Sequence, residues 1–190
     1  MIWRLRLKLS RLYVLLLQHD KINYANVVWC NLSLPKHRFI LWQAVLGHLL
    51  TRDKLLLRHV RIESPLCPVC ELELETHDHL FFDCIYSQHI MHKIEEWLGV
   101  AIWPSKYGEW TAWMVGRPKG LLQRVLAAAL AATVYFIWLN RNSCIFNCSA
   151  ISSTRVYFLI KSCLKARMLG LARKHLGKKE KAIVECICHL

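Results

Sequence analysis

Cys67, Cys70, His79 and Cys84 stand in the pattern Cys-x2-Cys-x8-His-x4-Cys. Three thiols and one imidazole within eighteen residues suit Zn²⁺, a d10 ion with no geometric preference of its own. Two donors come from a tight Cys turn and two from a second turn. Four protein ligands leave no position for water or substrate, so the expected ion is a staple and not a Lewis acid. A lone Cys-x2-Cys arises readily by chance in a chain with 9 Cys among 190 residues. The completing His and Cys make the pattern specific. The alternative is a set of metal-free thiols buried as small hydrophobes. His77 competes with His79, since both flank Asp78. On a helix His77 lies two turns before Cys84, whereas His79 and Cys84 are about 140° apart, so one of that pair must sit at a helix end. His79 is the expected ligand.

The elements around these residues read as helices. A short helix is expected at 11–18, with Tyr13 and the leucines as its packing face. Pro35 suits the first turn of a helix over 36–50, whose apolar face would be Phe39, Trp42, Ala44, Val45, Leu46, Leu49 and Leu50. Thr51 is the expected N-cap, and Asp53 the first-turn acid, of a helix to about His59. Pro65 opens the knuckle, and residues 71–75 alternate like a short strand. A helix from Cys84 to Leu98 should stop at Gly99. Trp103, Trp110 and Trp113 lie in or around another short helix, and 116–120 is the clearest break. Long helices follow at about 121–146 and 153–175, with Gly177 as a stop and a solvated, lysine-rich tail at 173–181. The expected fold class is mainly α, a helical domain with a small zinc-knuckle turn or hairpin insert.

Composition bounds what such a fold can do. The length suits one domain, or a small domain with extensions. Hydrophobic residues make up 55% with 8 Trp, so a sizeable core forms and wholesale disorder is excluded. An odd cysteine count, four of them in the motif, favours a reducing compartment over a disulfide framework. The expected location is intracellular, in nucleus or cytoplasm. Arg4, Arg6, Lys8 and Arg11 interrupt any leader-like apolar segment before Leu15-Leu16-Leu17. The uncharged run 125–139 is shorter than the ~20 residues that cross a bilayer, so a buried helix and no membrane are expected.

The net charge of +13 is unevenly placed. Residues 63–84 hold six acids and no Lys or Arg, so the knuckle alone should repel nucleic acid. Contacts with phosphate would fall to Lys36, Arg38, Arg52, Lys54, Arg58 and Arg61 with His37, or these are simply two solvated helix faces. Arg155, Lys161, Lys165 and Arg167, continued by Arg173, Lys174, Lys178 and Lys179, offer a second basic face. Trp42, Trp103, Trp110 and Trp113 could stack on bases, although core packing is the expected role. Arg141-Asn142, inside an apolar helix, should hydrogen-bond a neighbouring helix end or else a phosphate. Cys186-Ile-Cys188-His189 is a poor chelating turn, and Cys30, Cys144, Cys148 and Cys163 read as buried or free thiols. No pattern fixes a nucleophile, base and orienting group together.

Several stretches together resemble one family. Trp29, then Leu34-Pro-Lys-His-Arg-Phe-Ile-Leu-Trp42, Leu50-Thr-Arg-Asp-Lys-Leu55, Cys67-Pro-Val-Cys70 and Glu75-Thr-His-Asp-His-Leu-Phe-Phe-Asp-Cys84 look like the zinc-binding domain downstream of plant LINE-type (non-LTR) reverse transcriptases. Tyr135-Phe-Ile-Trp138 and Arg141-Asn142 with Phe146 resemble the segment that often follows it. The resemblance implies one structural zinc held by Cys67, Cys70, His79 and Cys84, His79 being the histidine before Leu-Phe-Phe. It also implies a noncatalytic piece of a retrotransposon polyprotein that binds RNA or DNA near reverse transcription. The paired aspartates of a polymerase are missing from the four Asp of this chain. The resulting organisation is 1–10 unmatched, 11–99 zinc-binding domain with the knuckle at 67–84, 100–170 helical extension and 171–190 basic tail. The alternative is a protein-interaction remnant that docks on a reverse transcriptase domain or another partner.

Overall fold

A computed structural model describes residues 24–99, 104, 106–115, 120–172 and 175–189. The helix expected at 11–18, Trp103, residues 116–119, Arg173 and Lys174 lie outside the described residues. The chain is mainly α. Helices α1 (Ala25–Val28), α2 (Pro35–Val45) and α3 (Arg52–Leu57) precede the knuckle. A π-helical turn, His79–Asp83, leads into α4 (Ile85–Leu98). A 3-10 turn at Tyr107–Glu109 and the short α5 (Trp110–Val115) follow. Then come α6 (Leu121–Asn147), α7 (Ser153–Ala172) and α8 (Lys178–His189).

Helix α6 is the hub. Every residue from Val125 to Val134 is buried, so the helix is enclosed on all sides there, as a helix apolar all round must be. Ala127, Ala128, Ala129, Ala131 and Ala132 supply small side chains that let neighbours approach its backbone. α1, α2, α4, α7, α8 and the π turn all pack on it. It is the one helix among the described residues long and apolar enough to cross a bilayer, yet 67% of its most apolar window is buried inside the protein. Its apolar character serves the core.

Helix α2 ends earlier than its apolar residues suggest. Gly47 adopts a left-handed φ of 66°. Its amide donates to Ala44 O (2.9 Å), and that of His48 donates to Gln43 O (2.8 Å), a Schellman stop. The buried face is also rotated from the expected one: His37, Leu41, Ala44 and Val45 point inward, whereas Phe39 is 53% exposed and Leu46 and Leu50 are exposed. A histidine is thus core where sequence pattern favours the phenylalanine, because the Tyr135 and Phe136 rings of α6 stack on it at 4.5 and 5.6 Å.

Other helix limits follow their local chemistry. Gly99, with φ 66°, stops α4 as expected. Ser152 caps α7, its hydroxyl accepting from Arg155 N at 3.3 Å. The buried stripe of α7 is Val156, Ile160, Leu164 and Met168. The tail expected to be solvated at 173–181 is largely exposed where it is described, and it runs into a further helix. Lys178, Lys179 and Lys181 do face solvent, but they begin α8, which buries Val184 and Ile187. Its end is held by Lys165 Nζ donating to Cys188 O at 3.0 Å.

Burial, with Lys36 adding repulsion, lowers the pKa of His37 from 6.5 to about 4. A depressed base destabilises the fold only once the unfolded chain takes up a proton that the folded chain refuses. Stability should therefore be intact above pH 6.5 and fall by up to about 3 kcal/mol as pH drops towards 4. Urea titrations across that window should show the slope in the native chain and a shallower one in His37→Phe. Equal slopes would remove His37 from the acid response.

Candidate metal centre

The first two ligands sit on a tight turn. Glu71 N donates to Cys67 O (2.8 Å), and Glu71 takes a left-handed φ of 59° to close the turn. Behind the turn, Leu66 and Leu74 form an isolated antiparallel bridge. Cys67 N donates to Glu73 O (2.7 Å) and Glu75 N to Pro65 O (3.0 Å). The strand expected at 71–75 is corrected to this single bridge, since the left-handed Glu71 bends its first residue out of extended geometry.

The other two ligands resolve the helical mismatch noted above. His79–Asp83 is a π turn in which Cys84 N donates to His79 O at 2.7 Å. The wider turn brings residues five apart into line, which an α-helix would leave about 140° apart. Cys84 is then extended and serves as N-cap residue of α4. Thr76 holds the other end, its hydroxyl accepting from His79 N at 3.0 Å.

The donor atoms of Cys67, Cys70, His79 and Cys84 lie within 4.8 Å of one another, with Cys70 Sγ 3.2 Å from His79 Nε2. A tetrahedral zinc with bonds of ~2.0–2.3 Å needs donors roughly 3.5 Å apart, so the set fits one ion. Cys67, Cys84 and His79 are buried and Cys70 is half-buried. The Cys67 thiol hydrogen-bonds to Cys84, which with burial pushes Cys67 up in pKa. The same bond draws Cys84 down, helped by the Tyr86 and Ser87 amides at the start of α4 and opposed by burial. Cys84 sits at the N-terminus of α4, a position that favours its thiolate.

His77 has another task. It is buried, and its Nε2 donates to Leu49 O at 3.0 Å, which fixes the Nε2–H tautomer. Burial, with Lys54 nearby, lowers its pKa and keeps it neutral. Two residues earlier, Glu75 is fully buried. Its carboxylate accepts from Arg141 Nε and an Arg141 terminal nitrogen, both at 2.7 Å, and from Arg52 N at 2.8 Å. Its main-chain oxygen accepts from Asp53 N at 3.2 Å. Arg141 also reaches Leu50 O at 3.3 Å and lies over the Trp138 ring at 4.8 Å. So Glu75, counted among the acids of the knuckle, is internal, and it caps α3 in place of a Thr51 side chain. The Thr51 hydroxyl instead donates to Asp53 at 2.5 Å. Glu75 was missed as a partner in the sequence. The available signal was Arg141, a cation inside an apolar helix that needs a buried acid.

The expected phosphate contacts spread over different environments. Arg58 and Arg61 are exposed, and Lys36 is exposed with its ammonium 4.9 Å from the Tyr135 ring centre. Arg38 is half-buried, with its Nε sequestered. Arg52 donates to Leu66 O at 2.6 Å and Lys54 to Gly47 O, so both brace the knuckle's surroundings. Trp110 is core, packed on Phe81 and Phe82 at 5.8 and 5.3 Å. Trp42 is half-buried between Trp29 and Phe39. Cys186 is exposed on α8 and Cys188 half-buried; among the described residues they join no metal cluster.

Residues 8–90 match the family model described as zinc-binding in reverse transcriptase. The likeness covers somewhat less than half of the chain, and Cys67, Cys70, His79 and Cys84 all lie within it. The match begins slightly before the expected boundary and ends within α4, so the likeness at 135–146 falls outside it. No curated protein and no solved structure matches the chain. Those four side chains are placed to hold one zinc ion.

Purified protein should contain one equivalent of zinc by metal analysis, and chelation or Cys67→Ser should release the knuckle and lower helicity in circular dichroism. Glu75→Gln should cost about 3–5 kcal/mol in urea unfolding, because Arg141 keeps its charge in a buried site without a counter-charge. Glu75→Gln with Arg141→Met should lose less than the two single changes added. Additive losses would show that the pair is not coupled.

Proposed function

We propose that this chain is a noncatalytic, zinc-stapled helical module from a LINE-type retrotransposon polyprotein of plant type, and that it supports RNA or DNA handling near reverse transcription. The observation that supports the reading is a cluster of four Cys and His donors inside the stretch that matches the model described as zinc-binding in reverse transcriptase. With all four positions taken by protein, zinc supplies folding energy and charge neutralisation for the thiolates. It leaves no coordination position for substrate. The net charge of +13 supports a polyanionic partner, with Arg58 and Arg61 as exposed candidates beside the knuckle.

A second reading rests on its own observation. Trp29, Trp42 and Phe39 form a cluster of tilted rings with centres 6.0 Å apart at each step, and Trp29 and Phe39 are about half exposed. Such a surface suits docking on a polymerase domain or another protein. Salt separates the two. Phosphate contacts give a linear fall of log affinity with log salt, with a slope of about −0.7 per contact on single strands. Fluorescence anisotropy with a single-stranded oligonucleotide should show that fall, and Arg58→Gln with Arg61→Gln should flatten it while zinc stays bound. Weak binding at every salt concentration would favour protein docking.

A further inference from the structure

Helices α4 and α7 run side by side in the same sense. Tyr86 on α4 donates its hydroxyl to Ile151 O, just before α7, at 2.8 Å. Further along, Trp97 meets Tyr157 edge to face, with ring centres 6.5 Å apart and planes at 85°. Between them opens a groove of about 380 Å³, lined by Lys93, Glu96, Trp97, Tyr157 and Lys161. That volume falls in the ~300–1,000 Å³ range of small-molecule clefts. The groove lies beyond residue 90, outside the zinc-binding family match.

Its chemistry is aromatic and cationic together. Lys161 Nζ lies 5.2 Å from the Trp97 ring centre and 5.7 Å from that of Tyr157. Lys93 Nζ lies 5.9 Å from the Tyr157 ring centre. Trp97 is only 8% exposed, and its indole N–H is buried without a partner in the fold. Glu96 is the acid of the groove, and His92 one turn earlier pairs with it at 3.2 Å. The lining thus holds two lysines and one carboxylate.

We infer that this groove seats a single-stranded nucleic-acid segment, with one base on the Tyr157 ring and neighbouring phosphates on Lys93 and Lys161. The inference rests on the nucleic-acid reading above and names a surface for it. A base offers the flat π face that the lysine ammoniums now cover, and the flexible lysine stems let those charges swing onto phosphate. An acidic peptide would use the lysines and leave the aromatic wall idle. The groove shares α4 with the candidate metal site: the helix begins after Cys84, and Lys93, Glu96 and Trp97 follow about two and a half to three and a half turns later.

The test is anisotropy with a fluorescein-labelled oligouridine, and oligothymidine as the DNA arm, over a salt series. Lys93→Gln with Lys161→Gln should weaken binding at least tenfold and reduce the salt slope by about 1.4, two contacts' worth for a single strand. Tyr157→Ala should weaken binding roughly tenfold with the slope unchanged, as loss of one stacked base predicts. In the native protein, ultraviolet cross-linking to 5-iodouridine in the same oligonucleotide should map to the peptide holding Tyr157, a readout independent of any variant's folding. Native binding with both variants unchanged, or cross-links only elsewhere, would overturn the groove and leave the nucleic-acid reading standing. No binding by the native chain would overturn both. Groove-dependent binding of an oligoglutamate peptide, insensitive to Tyr157→Ala, would reassign the site to acidic protein.

Discussion

The carboxylate of Glu75 is where three parts of the chain meet. It accepts from Arg141 on the central helix and from the first amide of α3, while its own main chain braces the Cys turn through Pro65. Burying two opposite charges is costly unless each finds its hydrogen-bond partners, and here most are met. Arg141 fills its fork with both Glu75 oxygens, Leu50 O and Asn142 Oδ1. Together with His77 on Leu49 O, this grip holds the segment between α2 and α3 against the knuckle. The zinc site is thereby anchored to the hydrophobic core and does not hang from it as an independent finger.

Metal and core divide the task of holding α4. Its first turn starts from Cys84, whose sulfur lies in the donor cluster, and its body is buried through Ser87, Ile90, Ile94 and Trp97. The π turn before it has a mechanical purpose. An α-helical turn would carry His79 and Cys84 to different faces, while the wider turn lets both aim at one point and still delivers Phe81 and Phe82 to the core against Trp110. Leu80 O is likewise taken by the Ser87 hydroxyl at 2.6 Å, so the turn is tied to α4 on its buried side. Structural chemistry of this kind leaves the outer faces of α4 and α7 free to vary in function.

Residue types and spacing made much of this legible. The ligand quartet, the stops at Gly99 and near residue 147, Pro35 at the start of α2 and the mainly α class are all local matters. They depend on a few neighbouring residues: a left-handed glycine, a missing amide proton, a donor set that only some ions accept. Arg141 as a structural hydrogen-bonding residue was legible for a similar reason, because a cation within an apolar run must find a partner.

Other features depend on what lies across the fold. Which of His37 and Phe39 faces inward was settled by the aromatic rings of α6, and periodicity alone chose the wrong one. Arg52 and Lys54 look like surface cations in sequence but spend their donors on Leu66 O and Gly47 O. His77 and His79 are near twins in the sequence, yet one reaches Leu49 O and the other the thiol of Cys70. The lysine-rich end becomes a helix because α7 offers Val184 and Ile187 a place to bury. Sequence by itself determined the Cys and His quartet and the helical class, since both arise from residues close along the chain. Tertiary structure alone decided the partners of Glu75, the use of each cation and the groove between α4 and α7, because each requires groups dozens of residues apart to meet.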